Sequence, residues 1–136
     1  MRALGIDFGL KRVGLSVSDR TGTLVSPYKT IERSTRDKLF DELTEIILKE
    51  AVEVIIVGLP ISLDGEDTLT TRQARNFAES LGRRTDIPIH MMDERLTSAQ
   101  AEEELNAANV RGKKRKMALD SQAAVVILRS WFESKQ

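Results

Sequence analysis

Three acidic residues stand where the apolar pattern leaves little reason for charge. Asp7 ends a buried-looking strand, Glu94 follows another, and Asp120 lies on the apolar stripe of a helix. Brought together by the fold, they would form a carboxylate cluster without histidine or cysteine, a donor set suited to hard cations such as Mg²⁺ or Mn²⁺. Residues 111 to 116 read Arg-Gly-Lys-Lys-Arg-Lys, a basic run that ends four residues before Asp120. Acid to hold metal beside base to hold phosphate is the outline of a nuclease.

Each acid also has a plainer reading. Asp7 could cap the turn at Gly9 through its side chain, although a bare carboxylate between Ile6 and Phe8 would be costly to bury and so favours a bound cation. Glu94 could pair with Arg95 or sit on a helix surface. Asp120 could complement the amino end of a helix that starts near Ala118. Steps of three, four, seven, eight and eleven residues from Asp120 reach Ala123, Ala124, Ile127, Leu128 and Trp131. That spacing sets the carboxylate in line with the face that packs on a sheet. Two small residues, Ala123 and Ala124, would let this helix come close and carry Asp120 toward Asp7.

Lys11 and Arg12, between Gly9 and Gly14, would hold positive charge over an approaching phosphate. Lys113, Lys114, Arg115 and Lys116 could follow a nucleic-acid backbone farther out, giving affinity without base specificity, or could be solvated surface. Ser18, Ser62 and Thr97 carry hydroxyls, but no serine adjoins a histidine. The single histidine, His90, alternates within a strand as a packed or surface residue. Phe8 and Tyr28 are candidates to stack on a base, whereas Phe40, Phe77, Phe132 and Trp131 read as core.

Positioning these groups requires a core, and 136 residues bound the chain to one domain large enough to build one. The absence of cysteine excludes disulfides and thiolate metal sites and suits a reducing cytoplasm. No secretory core precedes Asp7, and no apolar run approaches the roughly twenty residues that span a bilayer. Net charge is zero, so nucleic-acid binding must rest on local patterning. Residues 2 to 8, 13 to 18, and 24 to 31 read as an antiparallel meander. Ser34 or Thr35 caps a helix bearing Leu39, Leu43, Ile46 and Ile47. Val54 to Val57, apolar on both sides, reads as a central strand stopped by Gly58-Leu59-Pro60. A loop over 61 to 69 turns at Asp64-Gly65, and a second helix spans about Thr70 to Arg84. Ile89 to Met92 forms a strand ending at Asp93-Glu94. Thr97 with Gln100 opens a third helix, and a last helix carries Trp131. This order predicts an α/β fold, a mixed five-stranded sheet with helices on both faces, its site at the carboxyl ends of the parallel strands.

Four blocks now carry a family resemblance: Asp7-Phe8-Gly9-Leu10-Lys11-Arg12-Val13-Gly14; Gly58-Leu59-Pro60 with Asp64-Gly65; Asp93-Glu94-Arg95-Leu96-Thr97; and Asp120-Ser121-Gln122-Ala123-Ala124 with Ile127-Leu128. In order and spacing the chain resembles the YqgF/RuvX family across nearly its whole length. The resemblance implies a ribonuclease-H-like fold related to Holliday-junction resolvases, and a nuclease maturing the 5′ end of pre-16S ribosomal RNA. With the chemistry, it assigns Asp7, Glu94 and Asp120 as metal ligands. Asp93 and Arg95 support the site or bind substrate, and Gly9, Gly58 and Pro60 shape the backbone around it. Two divalent ions held about 3.5–4 Å apart would activate water and stabilise the departing oxygen.

The expected partner is nucleic acid, pre-rRNA or branched DNA, together with a ribosomal precursor particle. Junction resolution on branched DNA is the alternative activity. It calls for a two-fold dimer, and no dimer stripe is visible beyond the core faces. A non-catalytic nucleic-acid-binding factor in transcription or ribosome assembly is a further alternative, against which the three acids argue. The first block also resembles the phosphate-binding hairpin of sugar kinases and actin-like ATPases, which bind nucleotide between two such lobes where this chain supplies one.

Overall fold

A computed structural model describes residues 1–60, 67–93, 97–112 and 115–135, with Thr97 and Ser98 described by backbone alone. The elements run β1 (Ala3–Phe8), β2 (Arg12–Ser18), β3 (Val25–Glu32), α1 (Arg36–Lys49), β4 (Val54–Leu59), α2 (Leu69–Gly82), β5 (Ile89–Asp93), α3 (Thr97–Ala107) and α4 (Arg115–Ser134). The strands form one sheet in the order β3-β2-β1-β4-β5. Antiparallel pairing joins β1 to β2 and β2 to β3, and parallel pairing joins β1 to β4 and β4 to β5. This is the mixed sheet expected, with the meander and the parallel half meeting at β1.

Several boundaries differ from the sequence reading, each for a local reason. The strand at Val54 runs on through Gly58 and Leu59, which pair with Met92 and Asp93, and only Pro60, lacking an N–H, follows its end. Helix α2 starts at Leu69 because Thr68 caps it: Thr68 and Thr71 exchange side-chain-to-backbone hydrogen bonds in a capping box. The last helix begins at Arg115, so it takes in the end of the basic run. Thr35 caps α1 as expected, its hydroxyl accepting from the Lys38 N–H at 3.2 Å.

The sheet's two sides follow from strand alternation. Leu4, Ile6 and Phe8 of β1 join Val13, Leu15, Ile55 and Val57 in a core completed by Leu39, Leu43 and Ile47 of α1 and by Phe77 and Leu81 of α2. Ala3 of β1, with Val54 and Ile56, meets Ile127, Leu128 and Trp131 of α4 on the other side. Helix α3 lies against α4 through Ala101, Ala123 and Val126. The contact is tied by Glu104, which accepts from Gln122 Nε2 and from an Arg129 guanidinium nitrogen, each at 2.6 Å. Burial raises the Glu104 carboxyl, but the bonds from Arg129 and Gln122 outweigh it and hold the group below its ordinary value.

Candidate active site

Three parallel strand ends, at Phe8, Leu59 and Asp93, share one edge of the sheet, and the β1–β2 hairpin stands on it. Gly9 makes the hairpin possible: its N–H donates to the Arg12 carbonyl at 3.0 Å, and a Cβ there would lie 2.7 Å from that same oxygen. Arg33 braces the tip. Its guanidinium donates to the Gly9 and Leu10 carbonyls at 3.1 Å each, and its own N–H donates to the Lys11 carbonyl at 2.9 Å. The sequence reading missed Arg33, although its place just past the end of β3, beside the hairpin across the register Arg12 to Glu32, is a consequence of the meander it did expect.

Asp7 pairs across the ladder with Gly14, so both belong to the side of the sheet on which α4 lies. A Cβ on Gly14 would overlap the Asp120 carbonyl. The helix backbone at Asp120 therefore rests directly on the strand residue that pairs with Asp7, and the two acids belong to the same side of the sheet. Three further positions, one glycine and two hydroxyls, set this close approach. A Cβ on Gly5 would come within 2.8 Å of the Ala124 carbonyl oxygen. Ser16 Oγ donates to the same carbonyl at 2.7 Å, and Thr30 Oγ1 donates to the Met117 carbonyl at 2.5 Å. The small residues Ala123 and Ala124 were read as the reason for a close approach. The strands contribute as much, and the alternation of Gly5, Gly14 and Ser16 was the signal for it.

Arg12 has a partner that the sequence reading did not expect: its Nε donates to Asp120 Oδ2 at 2.5 Å. A pair formed by residues 108 positions apart fixes the direction of the Asp120 carboxylate and joins the hairpin to α4. Lys11 is exposed on the hairpin. Arg115 also differs from the expectation of a backbone-tracking cation: it donates to the Val110 carbonyl and to Asn106 Oδ1, each at 2.8 Å, and so closes the passage from α3 to α4. Arg111 donates to Asn109 Oδ1 at 2.8 Å. Lys116 is exposed in the first turn of α4, one turn before Asp120.

On β5, Ile89 and Met91 pack toward α1 and α2, while Met92 packs toward α4 and His90 stacks on Trp131 with ring centres 5.9 Å apart. Asp93 is exposed and follows the alternation of Met91, so it belongs to the side of the sheet opposite Asp7. Gly58 pairs with Met92 inside the sheet, and the Pro60 carbonyl accepts from Thr71 Oγ1, which anchors the end of β4 to α2. Glu94, Arg95, Lys113 and Lys114 lie outside the described residues. Among the described residues no group of three histidines, cysteines or acids gathers. The half-buried Asp7 and Asp120 supply oxygen donors alone, a set whose hardness fits Mg²⁺ or Mn²⁺ better than softer ions.

A meander of three strands extended by two parallel strands, with the long helix α4 laid across one side of the sheet, defines a ribonuclease-H-like fold of the resolvase type. RuvC of Thermus thermophilus shares it with a TM-score of 0.62, covering 99% of this chain and 96% of that one at 14% identity. The Fowlpox virus resolvase, solved with Holliday junction DNA, shares it with a TM-score of 0.61 over 99% of both chains at 10% identity. At such identities the likeness is one of fold. The sequence model described as "RuvX: Holliday junction resolvase" matches residues 1–134, and the chain belongs to that family. A protein of Maridesulfovibrio salexigens bearing the name "Putative pre-16S rRNA nuclease" is 60% identical over 132 residues, 97% of this chain and 98% of that protein. One of the same name from Lachnospira eligens is 39% identical over 139 residues, 100% and 99% of the two chains.

Proposed function

We propose that the chain is a metal-dependent nuclease that cleaves phosphodiester bonds in the 5′ leader of pre-16S ribosomal RNA, acting in the cytoplasm on a ribosomal precursor. The observation that supports this reading is that Asp7 and Asp120 belong to the same side of the sheet near its carboxyl edge, where Gly14, the ladder partner of Asp7, lets the α4 backbone at Asp120 rest on β2. The names borne by relatives of high identity and near-complete coverage supply the substrate. Asp7, Glu94 and Asp120 would hold Mg²⁺ or Mn²⁺, a pair of ions in the full site. When bound, the metal supplies an activated water and stabilises the departing oxygen.

The chain's own groups orient and bind. Arg12 holds the Asp120 carboxylate in one direction and balances its charge before metal arrives. Lys11 and Lys116, with Arg95, Lys113 and Lys114, neutralise phosphates of the strand on either side of the acids. The strand alternation favours Glu94 over Asp93 as the third ligand, because Asp93 belongs to the opposite side of the sheet. No side chain is required as a covalent nucleophile.

The family's description favours a second reading, resolution of Holliday junctions. The deciding experiment offers purified protein, with Mg²⁺ or Mn²⁺, a pre-16S 5′ leader RNA, a linear single-stranded DNA and a four-way DNA junction. We expect the RNA to be trimmed, and trimming to fall at least about a hundredfold, ~2.7 kcal/mol, in Asp7→Asn or with chelator. Paired symmetric cuts in the junction alone would establish the resolvase. Binding without cleavage of any substrate, on assembled precursor particles as well as on naked RNA, would favour the non-catalytic factor.

A further inference from the structure

One residue beyond Asp7, the chain turns a ring to the other side of the sheet. Phe8 stacks on Phe77 with ring centres 4.4 Å apart, and Phe77 stacks on Phe40 at 5.7 Å. Arginines close both ends of this stack: the Arg33 guanidinium lies 4.7 Å from the centre of Phe8, and that of Arg84 lies 4.1 Å from the centre of Phe40. Beside the rings opens a cavity of about 190 Å³, rimmed by Arg33, Arg36, Gln73, Asn76 and Ser80. None of its lining residues is acidic.

We infer that this cavity receives one unstacked base of the substrate strand, next to the phosphate held at the acids. The inference rests on the nuclease reading above for the identity of the strand. Its volume is below the ~300–1,000 Å³ of pockets that enclose drug-sized ligands and suits a single ring system. The three rings, buried and covered on their faces by one another and by Arg33 and Arg84, supply an apolar floor through their edges. Gln73 and Asn76 each carry a donor and an acceptor, the complement of a base edge, and Arg33 and Arg36 set positive charge where the sugar–phosphate chain must enter. Position makes the link specific. Phe8 follows Asp7 directly in β1, and Arg33 both rims the cavity and braces the hairpin that separates it from the acids. A strand crossing the hairpin would thus present a phosphate on one side and a base on the other.

The test uses the full chain with chelator present, so that binding is read without cleavage. Fluorescence anisotropy with a short labelled RNA, a DNA of the same sequence and free adenosine monophosphate as competitor would compare the native protein with Asn76→Trp, which fills the mouth from an exposed position, and Gln73→Glu, which adds repulsion. Thermal melts by circular dichroism confirm that both variants fold. We expect each variant to weaken binding of the strand at least about fivefold. Strands carrying 5-iodouridine should photo-cross-link to peptides of α1 or α2 that hold Phe40 or Phe77. Unchanged affinity in both folded variants would overturn the pocket, as would cross-links confined to the hairpin and residues 111–116. Mononucleotide binding as tight as that of the strand would overturn the assignment to a strand. No binding of any single strand by the native protein would also overturn it, while cleavage of precursor particles would still stand as the separate measure of nuclease activity.

Discussion

On the side of α1 and α2, the sheet is covered side chain against side chain: Leu4, Ile6, Leu15 and Ile55 share one apolar cluster with Leu43, Phe77 and Leu81. On the side of α4, much of the cover is backbone against backbone. Gly5 and Gly14 leave room for helix carbonyls, and Ser16 and Thr30 donate to them. Only the far end of α4 packs by large side chains, through Ile127, Leu128 and Trp131. The difference follows from what each side carries. A carboxylate patch cannot be built beneath a thick apolar layer without isolating charge. A helix brought down on glycines puts Asp120 on the side of the sheet that carries Asp7 while leaving both half-buried.

The contact of α4 with the sheet is most sensitive at Gly14. Replacing it by valine forces the new side chain into the Asp120 carbonyl, and we expect a loss above about 4 kcal/mol or failure to fold, measured by urea denaturation. A variant as stable as the native chain would show that α4 does not rest on this residue. On the other side, Leu43→Ala should cost about 3 kcal/mol through the cavity it leaves in a fully buried site. It should spare cleavage, because Leu43 lies away from the acids. Ser16→Ala removes the hydroxyl that bonds the Ala124 carbonyl and should cost about 1–2 kcal/mol.

The smallest effect concerns pH, and two tethered carboxylates, Glu50 and Glu104, report it. Glu50, at the end of α1, is held below its ordinary value near 4.5 by hydrogen bonds from Arg2 and from the Tyr28 hydroxyl, at 2.5 and 3.0 Å. Glu104, on the α4 side, is likewise held low by Arg129 and Gln122. A carboxyl lowered on folding contributes stability above its unfolded value, and that stability is lost as pH falls through its folded value. Melting temperature should therefore drop as pH is lowered past about 4.5. Glu50→Gln and Glu104→Gln should each flatten that drop and cost about 1 kcal/mol or less at neutral pH.

The strand and helix order was legible because each element carries its own period. Leu39, Leu43, Ile46 and Ile47 repeat as a helix must, and the doubly apolar run at Val54 reads as a covered strand. Edges were less legible: nothing local distinguishes Gly58 and Leu59 as strand residues until Met92 and Asp93 lie beside them. Asp7 and Asp120 stood out as charges against an apolar pattern, and the four motif blocks were sufficient to indicate the family.

By itself, then, the sequence determined the elements and the mixed sheet, since these follow from local periodicity and composition. The tertiary structure alone decided which groups meet. Arg12 pairs with Asp120, Arg33 braces the hairpin, Arg115 bonds across the α3–α4 passage, and Asp93 falls on the side away from Asp7. The reason is geometric. A shift of one residue in strand register sends a side chain to the opposite side of a sheet, and an ion pair between positions 108 apart forms only when the whole chain has packed.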